Sequence, residues 1–508
     1  MSIFRIFLLV LILSAGKTAL AQKEISFSDY RNEDDLDISF EILGKMKGNY
    51  LIYKSVRWKH MLAYYDSSMH LAKSMRISFI PEKTFNIDFI TYPDFFYMVY
   101  QYQKNSIVYC MGVKMGVDGK KLSEPVLMDT TKLGLLADNK IYSTIYSQDK
   151  QKIMVYKMLR KNQDLTIVSK IYNASLAMID STREVTQVND KTDSYGDIYL
   201  ANNGDQVLTK LSLTNFGKKI NGVEMMIRQF GAKKYIVKPI SFTDKFFDDI
   251  NVKLDNQNGQ CIVNSLYYEK GNENIKGVFS VLMNIHDGEV KKMAFNEFSD
   301  SLRSIASKTV FKSAFDNFSI QQVIAKKDGG FIMAAEDNYV QARYSQSYVN
   351  RYNSLGTFDN YNTGYYSNSA YYNGFYRPFS SFNNYQSQTF YYDNILVLSF
   401  DSSLTMQWNV VIPKEQTDEG NDNFLSYSIM NMGRELHFLY VERLSNTQVV
   451  SNQSVQPNGT LKRYPTFKSR EKGFEFMPRS AKQVDYGEMI IPCVYRNNVA
   501  FARVIFDE

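Results

Sequence analysis

The sequence predicts an all-β chain, a β-propeller of four-stranded blades, and three observations carry that prediction. One local pattern recurs: an alternating apolar run, a short polar turn, then a second alternating run. It stands at 62–77, 113–128, 153–172, 208–227, 281–295, 395–412 and, more weakly, 450–467. The segments between, such as 36–56, 85–103, 194–211, 248–269, 318–337 and 424–443, are also rich in Val, Ile, Tyr and Phe and broken by Gly, Asn or Asp. Hairpins repeating roughly every 45–55 residues mark a radial array, and two hairpins make the four strands of a blade. The third observation is at the ends. Seven full blades run from Leu36 to Phe467, only three strands fit between Lys482 and Phe506, and EISFSD (24–29) can supply the fourth. Such a closure removes a free sheet edge. Eight blades are favoured, with seven as the alternative.

Along the chain, the first element is not part of the fold. Arg5 precedes the apolar stretch Ile6 to Leu13, and Ala19-Leu20-Ala21 precedes Gln22. This is the layout of a secretory signal peptide over 1–21, leaving 22–508 as a single propeller domain. The apolar run is shorter than the roughly 20 residues a membrane span needs. The expectation is an exported protein, periplasmic or secreted, with no integral membrane segment after cleavage. The chain stops inside or just after a strand, so no C-terminal sorting domain is expected.

Glu33, Asp34, Asp35 and Asp37 form an acidic cluster early in the mature segment, read as a solvated surface because no calcium-loop spacing accompanies it. Net charge is +6 on 508 residues with Lys and Arg scattered, which gives no footprint for nucleic acid. Cys110, Cys261 and Cys493 are far apart, each in a strand-like run, and read as small buried hydrophobes. A bridge between two of them stays open. The best helix candidate is 302–317.

Between Asp337 and Asp393 the regular spacing breaks. The interval 338–392 is built largely from Tyr, Asn, Ser, Phe, Gly and Gln, and the repeat places it between the second and third strands of the sixth blade. A loop this long inside a compact domain is usually functional or disordered. Tyr and Phe offer large rigid surfaces while Asn, Ser and Gly supply adaptable hydrogen bonds, the mixture binding loops use. Tyr365, Tyr366, Tyr371, Tyr372, Phe375, Tyr376 and Arg377 are therefore the candidate binding residues. Low-complexity sequence without a dedicated ligand, and self-association, are the other readings.

Catalytic and nucleotide motifs are missing: there is no G-x-S-x-G, HExxH, phosphate loop or Cys-x-x-Cys. His60, His70, His286 and His437 have no metal-ligand spacing, so structural roles are expected and no metal or cofactor is called for. Carboxylates stay open, because a propeller glycosidase can assemble them from different blades. Asp37, Asp88, Asp94, Asp197 and Asp249 fall where they can face a channel. Asp418, Glu419, Asn421, Asp422 and Asn423 lack a fixed coordination pattern and read as a solvated loop.

DGGFIMAAED (328–337) followed by NILVLSFDSSLTMQWNVVI (394–412) is similar to the phrasing of bacterial exported propellers: paired glycines before an aromatic, a long strand, an Asp-Ser turn, then Trp. The chain thus resembles the broad class of secreted propeller repeat proteins, well over one blade and loosely over the others. The WD dipeptide and regular Kelch glycines are absent. The resemblance implies a fold and a tendency to binding roles, and transfers no functional residue. The expected function is a noncatalytic binding or scaffold module for an envelope protein or glycan, with the insertion as contact. The alternative is a carbohydrate-active enzyme using channel-mouth carboxylates.

Overall fold

A computed structural model describes residues 24–29, 38–56, 58–133, 140–189, 191–214, 219–270, 274–306, 317–342, 375–376, 388–444, 447–467 and 473–506. Regular structure among the described residues is nearly all strand, arranged as antiparallel meanders in sequence order. The meanders span 39–76, 84–132, 143–187, 193–240, 245–297, 318–412, 427–467 and 474–505. The fourth and fifth share one nine-stranded sheet through the pair Ile220↔Phe247. In the last, Phe474–Phe476 and Lys482–Asp485 both pair with Glu488–Tyr495, and Asn498–Ile505 follows. Its outer strand is Glu24–Phe27, which pairs antiparallel with Asn498–Ile505.

The second strands explain why the sequence reads as it does. In Phe95–Lys104, Phe96, Met98 and Tyr100 pack toward the first meander, whereas Tyr97 and Val99 pack toward the third. Successive side chains of a strand point to opposite faces, and here both faces meet a neighbouring sheet. FFYMVY is therefore a continuous apolar run rather than an alternating one. The same division separates Leu439 and Val441 from Phe438 and Tyr440.

Every core cluster is drawn from two consecutive meanders. One of them joins Phe40, Ile52 and Tyr65 of the first to Ile490, Val499 and Phe501 of the last. The outer strands face solvent and turn polar, as in Leu71–Arg76 (LAKSMR) and Met178–Gln187.

The helix expected at 302–317 appears as Asp300–Ala306, starting two residues earlier; residues 307–316 lie outside the described set. All three cysteines are buried and free, so the bridge left open by the sequence is not formed. Among the described residues no helix is long and apolar enough to cross a membrane.

Candidate functional site

Because each meander reverses direction at every turn, the starts of its first strand and its second-to-third hairpin share one face with the connectors between meanders. The first-to-second turns lie on the opposite face. There, side chains of neighbouring turns are laced together. Lys150 Nζ donates to Thr91 O at 2.7 Å, the Asp149 amide to Asn202 Oδ1 at 3.1 Å, and the Asn202 amide to Asn256 Oδ1 at 2.8 Å. Asn256 Nδ2 reaches back past the fourth meander to Gln148 Oε1 at 3.0 Å.

On the first strands, ionisable side chains from different meanders converge. Glu41 lies on Ser39–Met46, Asp88 on Thr84–Thr91, Asp197 on Asp193–Leu200 and Lys482 on Lys482–Asp485. Lys140 leads into the third meander, and its Nζ is 3.2 Å from Asp88 Oδ1. Lys482 Nζ donates to Ile42 O at 2.7 Å. All four of these strands are interrupted: Ser39–Met46 at Leu43, Thr84–Thr91 at Phe85, Asp193–Leu200 at Gly196 and Asp197, and Lys482–Asp485 at Val484. Bulges of this kind re-aim side chains next to functional sites.

The charges sense one another. Burial raises the Glu41 carboxyl from 4.5 to about 7; Lys482 pulls it back and Asp88 pushes it up. Burial lowers Lys482, with Glu41 opposing and Lys150 assisting. Burial raises Tyr156, and Asp197 and Asp88 add to it. Burial likewise raises Tyr199, with Asp197 and Asp249 contributing. Neighbouring meanders are thus linked pairwise through these groups: eighth to first, first to second, second to third, third to fourth and fourth to fifth.

Of the candidate binding residues, Tyr365, Tyr366, Tyr371, Tyr372 and Arg377 lie outside the described residues. Phe375 and Tyr376 form a two-residue strand on Ser39–Met46, with Phe40↔Tyr376 and Glu41↔Phe375 in register. Of the interval between Ala342 and Gln388, the two described residues thus lie on the strand that carries Glu41.

Of the candidate carboxylates, Asp88, Asp197 and Asp249 belong to the convergent group, and Asp94 sits in a first-to-second turn on the far face. Asp37 and its acidic neighbours lie outside the described residues. Asp422 is engaged by Arg479 Nη1 at 2.6 Å and the Tyr392 hydroxyl at 2.7 Å. Among the described residues no three metal-ligating side chains come together.

The histidines have partners. His60 Nδ1 is 2.6 Å from the Tyr53 hydroxyl, His286 Nδ1 2.7 Å from Asp205, and His437 Nδ1 3.0 Å from Asn452 Oδ1. His70 lies 3.7 Å from Asp66.

Sequence reasoning missed Glu41, Lys140 and Lys482. The usable signal was a charged residue inside an otherwise apolar first strand, SFEILGKM for Glu41.

No family model matches the chain, and no curated protein matches it. Solved structures do align along most of its length. A chain from a structural analysis of two prolyl endopeptidases aligns at 9% identity over 91% of this chain and 55% of its own, TM-score 0.42. A polysaccharide lyase aligns at 9% identity over 82% of this chain and 89% of its own, TM-score 0.40. The β-propeller domain of the trilobed protease from Pyrococcus furiosus aligns at 8% identity over 84% and 96%, TM-score 0.36. The chain spans about half the length of the prolyl endopeptidases it matches. The all-β, four-stranded propeller class stands on the chain's own sheets.

Proposed function

We propose that the chain is a closed eight-bladed propeller, exported by residues 1–21, that acts as a noncatalytic binding scaffold for an envelope protein or glycan. The insertion 338–392 is the contact, at the mouth lined by Glu41, Asp88, Lys140 and Lys482. The observation that supports this reading is the pairing of Phe375–Tyr376 with the strand bearing Glu41. The sheet inventory and the core cluster joining last meander to first support the closed ring of eight.

The test is capture from the cell-envelope extract with the tagged chain and with a variant lacking 343–387. Ala342 and Gln388 are register partners, so a short turn can join them without disturbing the sheet. The expected outcome is a partner, protein or glycan, retained by the full chain and lost by the deletion. Equal capture by both forms sinks the insertion as the contact.

Glu41 supports a second reading. A carboxyl held near neutrality beside another carboxylate is the arrangement of a general acid, which suits a carbohydrate-active enzyme. Glycan cleavage by the full chain that disappears in Glu41→Gln, with fold intact, would favour it.

A further inference from the structure

The hairpin between the second and third strands of the first meander is set by the pair Val56↔Lys59, with Trp58 in its turn. The second, third and eighth meanders use the same two-residue turn, between Lys104↔Ile107, Lys161↔Asp164 and Tyr495↔Asn498. Such turns need positive φ, which is why asparagine and glycine dominate them. Each of those three carries an asparagine there, Asn105 at φ 50°, Asn162 at 56° and Asn497 at 63°, with Ser106 at 61° and Arg496 at 47° as the other left-handed turn residues. The first places Trp58 at φ 67°, with 55% of its surface exposed. A bulky side chain in the left-handed region is a genuine outlier, and this one gains no compensating burial. Strain kept at an exposed position points to function.

The surroundings indicate which function. The neighbouring hairpin carries Tyr102 and Tyr109, half-buried, with rings 5.2 Å apart and 11° from parallel. Tyr102 stacks in turn on Tyr100, whose ring lies 6.5 Å from Phe79 in the connector 77–83. That connector also holds the Trp58 hairpin. The Ile77 amide donates to His60 O at 2.8 Å, and His60 Nε2 lies 3.4 Å from Glu82 O. The connector 77–83 thus touches both the strand that follows Trp58 and the aromatic row that ends in the tyrosine pair. Exposed on the same face of these two meanders are Lys59, Arg76, Lys83, Lys104 and Lys132. Glu82 is the one carboxylate among the described exposed groups there, and Arg76 takes it at 3.1 Å.

We infer that Trp58, Tyr102 and Tyr109, ringed by these cations, form a binding face for an acidic polysaccharide, distinct from the channel mouth. Aromatic faces carry the negative side of the ring quadrupole and accept the C–H-rich face of a sugar. The lysines and arginine meet the carboxylate or sulfate groups that a neutral glycan lacks. This face goes beyond the reading above and does not require the insertion.

The experiment is affinity electrophoresis of residues 22–508 through gels containing polygalacturonate, chondroitin sulfate or neutral dextran, with single-stranded DNA as a competitor. The wild type is expected to be retarded by an acidic polymer, released by salt, and unaffected by dextran. Trp58→Asn is expected to weaken retardation about tenfold or more, as loss of an aromatic anchor does. Because asparagine suits the turn, the same variant is expected to melt at the wild-type temperature or above. The form lacking 343–387 is expected to keep the retardation, even if it loses its captured partner. Four results would overturn the inference: no retardation by either acidic polymer, unchanged retardation in Trp58→Asn, a lowered melting temperature for that variant, or equal preference for DNA. Loss of retardation in the deletion would also overturn it, by returning the site to the mouth.

Discussion

Glu336 is fully buried and Glu41 half-buried, and the two carboxylates answer the cost of burial differently. Glu336 has the Lys414 ammonium at 2.8 Å and accepts from the Ser426 hydroxyl at 2.7 Å. Glu41 has Lys482 near but, among the described residues, no hydrogen-bond donor, so burial raises its carboxyl to about 7. The sign of the pH effect follows. Between 4.5 and about 7 the folded state holds a proton that the unfolded chain releases. The contribution to stability is complete below 4.5 and is lost as pH rises through about 7. Glu41→Gln, which cannot ionise, is expected to flatten that part of the melting-temperature profile and to exceed the wild type at pH 8. Identical profiles for the two proteins would show that Glu41 does not carry the proton.

Among elements, the sixth meander depends on the buried pair more than on its strand sequence alone. Lys414 follows the strand Met406–Ile412 and reaches Glu336 on Phe331–Ala342, the Tyr392 carbonyl and Gln416 Oε1, each at 2.8 Å. One ammonium thus ties together the two strands at the root of the insertion and the connector that follows. Removing one partner of a buried ion pair costs about 3–5 kcal/mol, mostly by stranding the other charge. Lys414→Met is expected to lower thermal stability on that scale, and the double variant with Glu336→Leu to recover most of it. A double variant no more stable than Lys414→Met would mean that packing, not the stranded charge, sets the cost. The repeat predicted the strands of this meander, but nothing in the spacing of Glu336 and Lys414 announced the pair. Residues so far apart meet only once the sheet has formed.

In the whole molecule, the two chain ends are clasped together. Glu24–Phe27 pairs with Asn498–Ile505, and the Phe501 amide donates to the Ser28 hydroxyl at 2.9 Å. A second clasp lies beside it: Glu488 of the last meander accepts from Lys45 at 2.8 Å and from Tyr50 of the first, and from Arg503 of its own sheet. Deleting 24–29 leaves Asn498–Ile505 as an open edge, a template for pairing with another chain. The expected outcome is a lower melting temperature together with concentration-dependent oligomers in light scattering. A monomer with unchanged melting would show that the Glu488 clasp suffices.

By itself the sequence determined the strands, their grouping in fours and the anomaly at 338–392. Both faces of each inner strand are buried, and that requirement writes itself into local runs such as FFYMVY and into a regular period. It also offered Asp88, Asp197 and Asp249, together with Asp94, which lies on the far face, and it passed over Glu41, a charge inside an apolar first strand. Tertiary structure alone decided that Glu41, Lys140 and Lys482 join Asp88, Asp197 and Asp249, and that Phe375–Tyr376 lies against Glu41. It also decided that Trp58 stands exposed in a left-handed turn on the same face as Tyr102 and Tyr109. Each of those facts is a meeting of residues from different meanders, or a comparison of equivalent turns. Spacing along the chain encodes neither: what sets them is how neighbouring sheets pack, and which turn geometry that packing imposes.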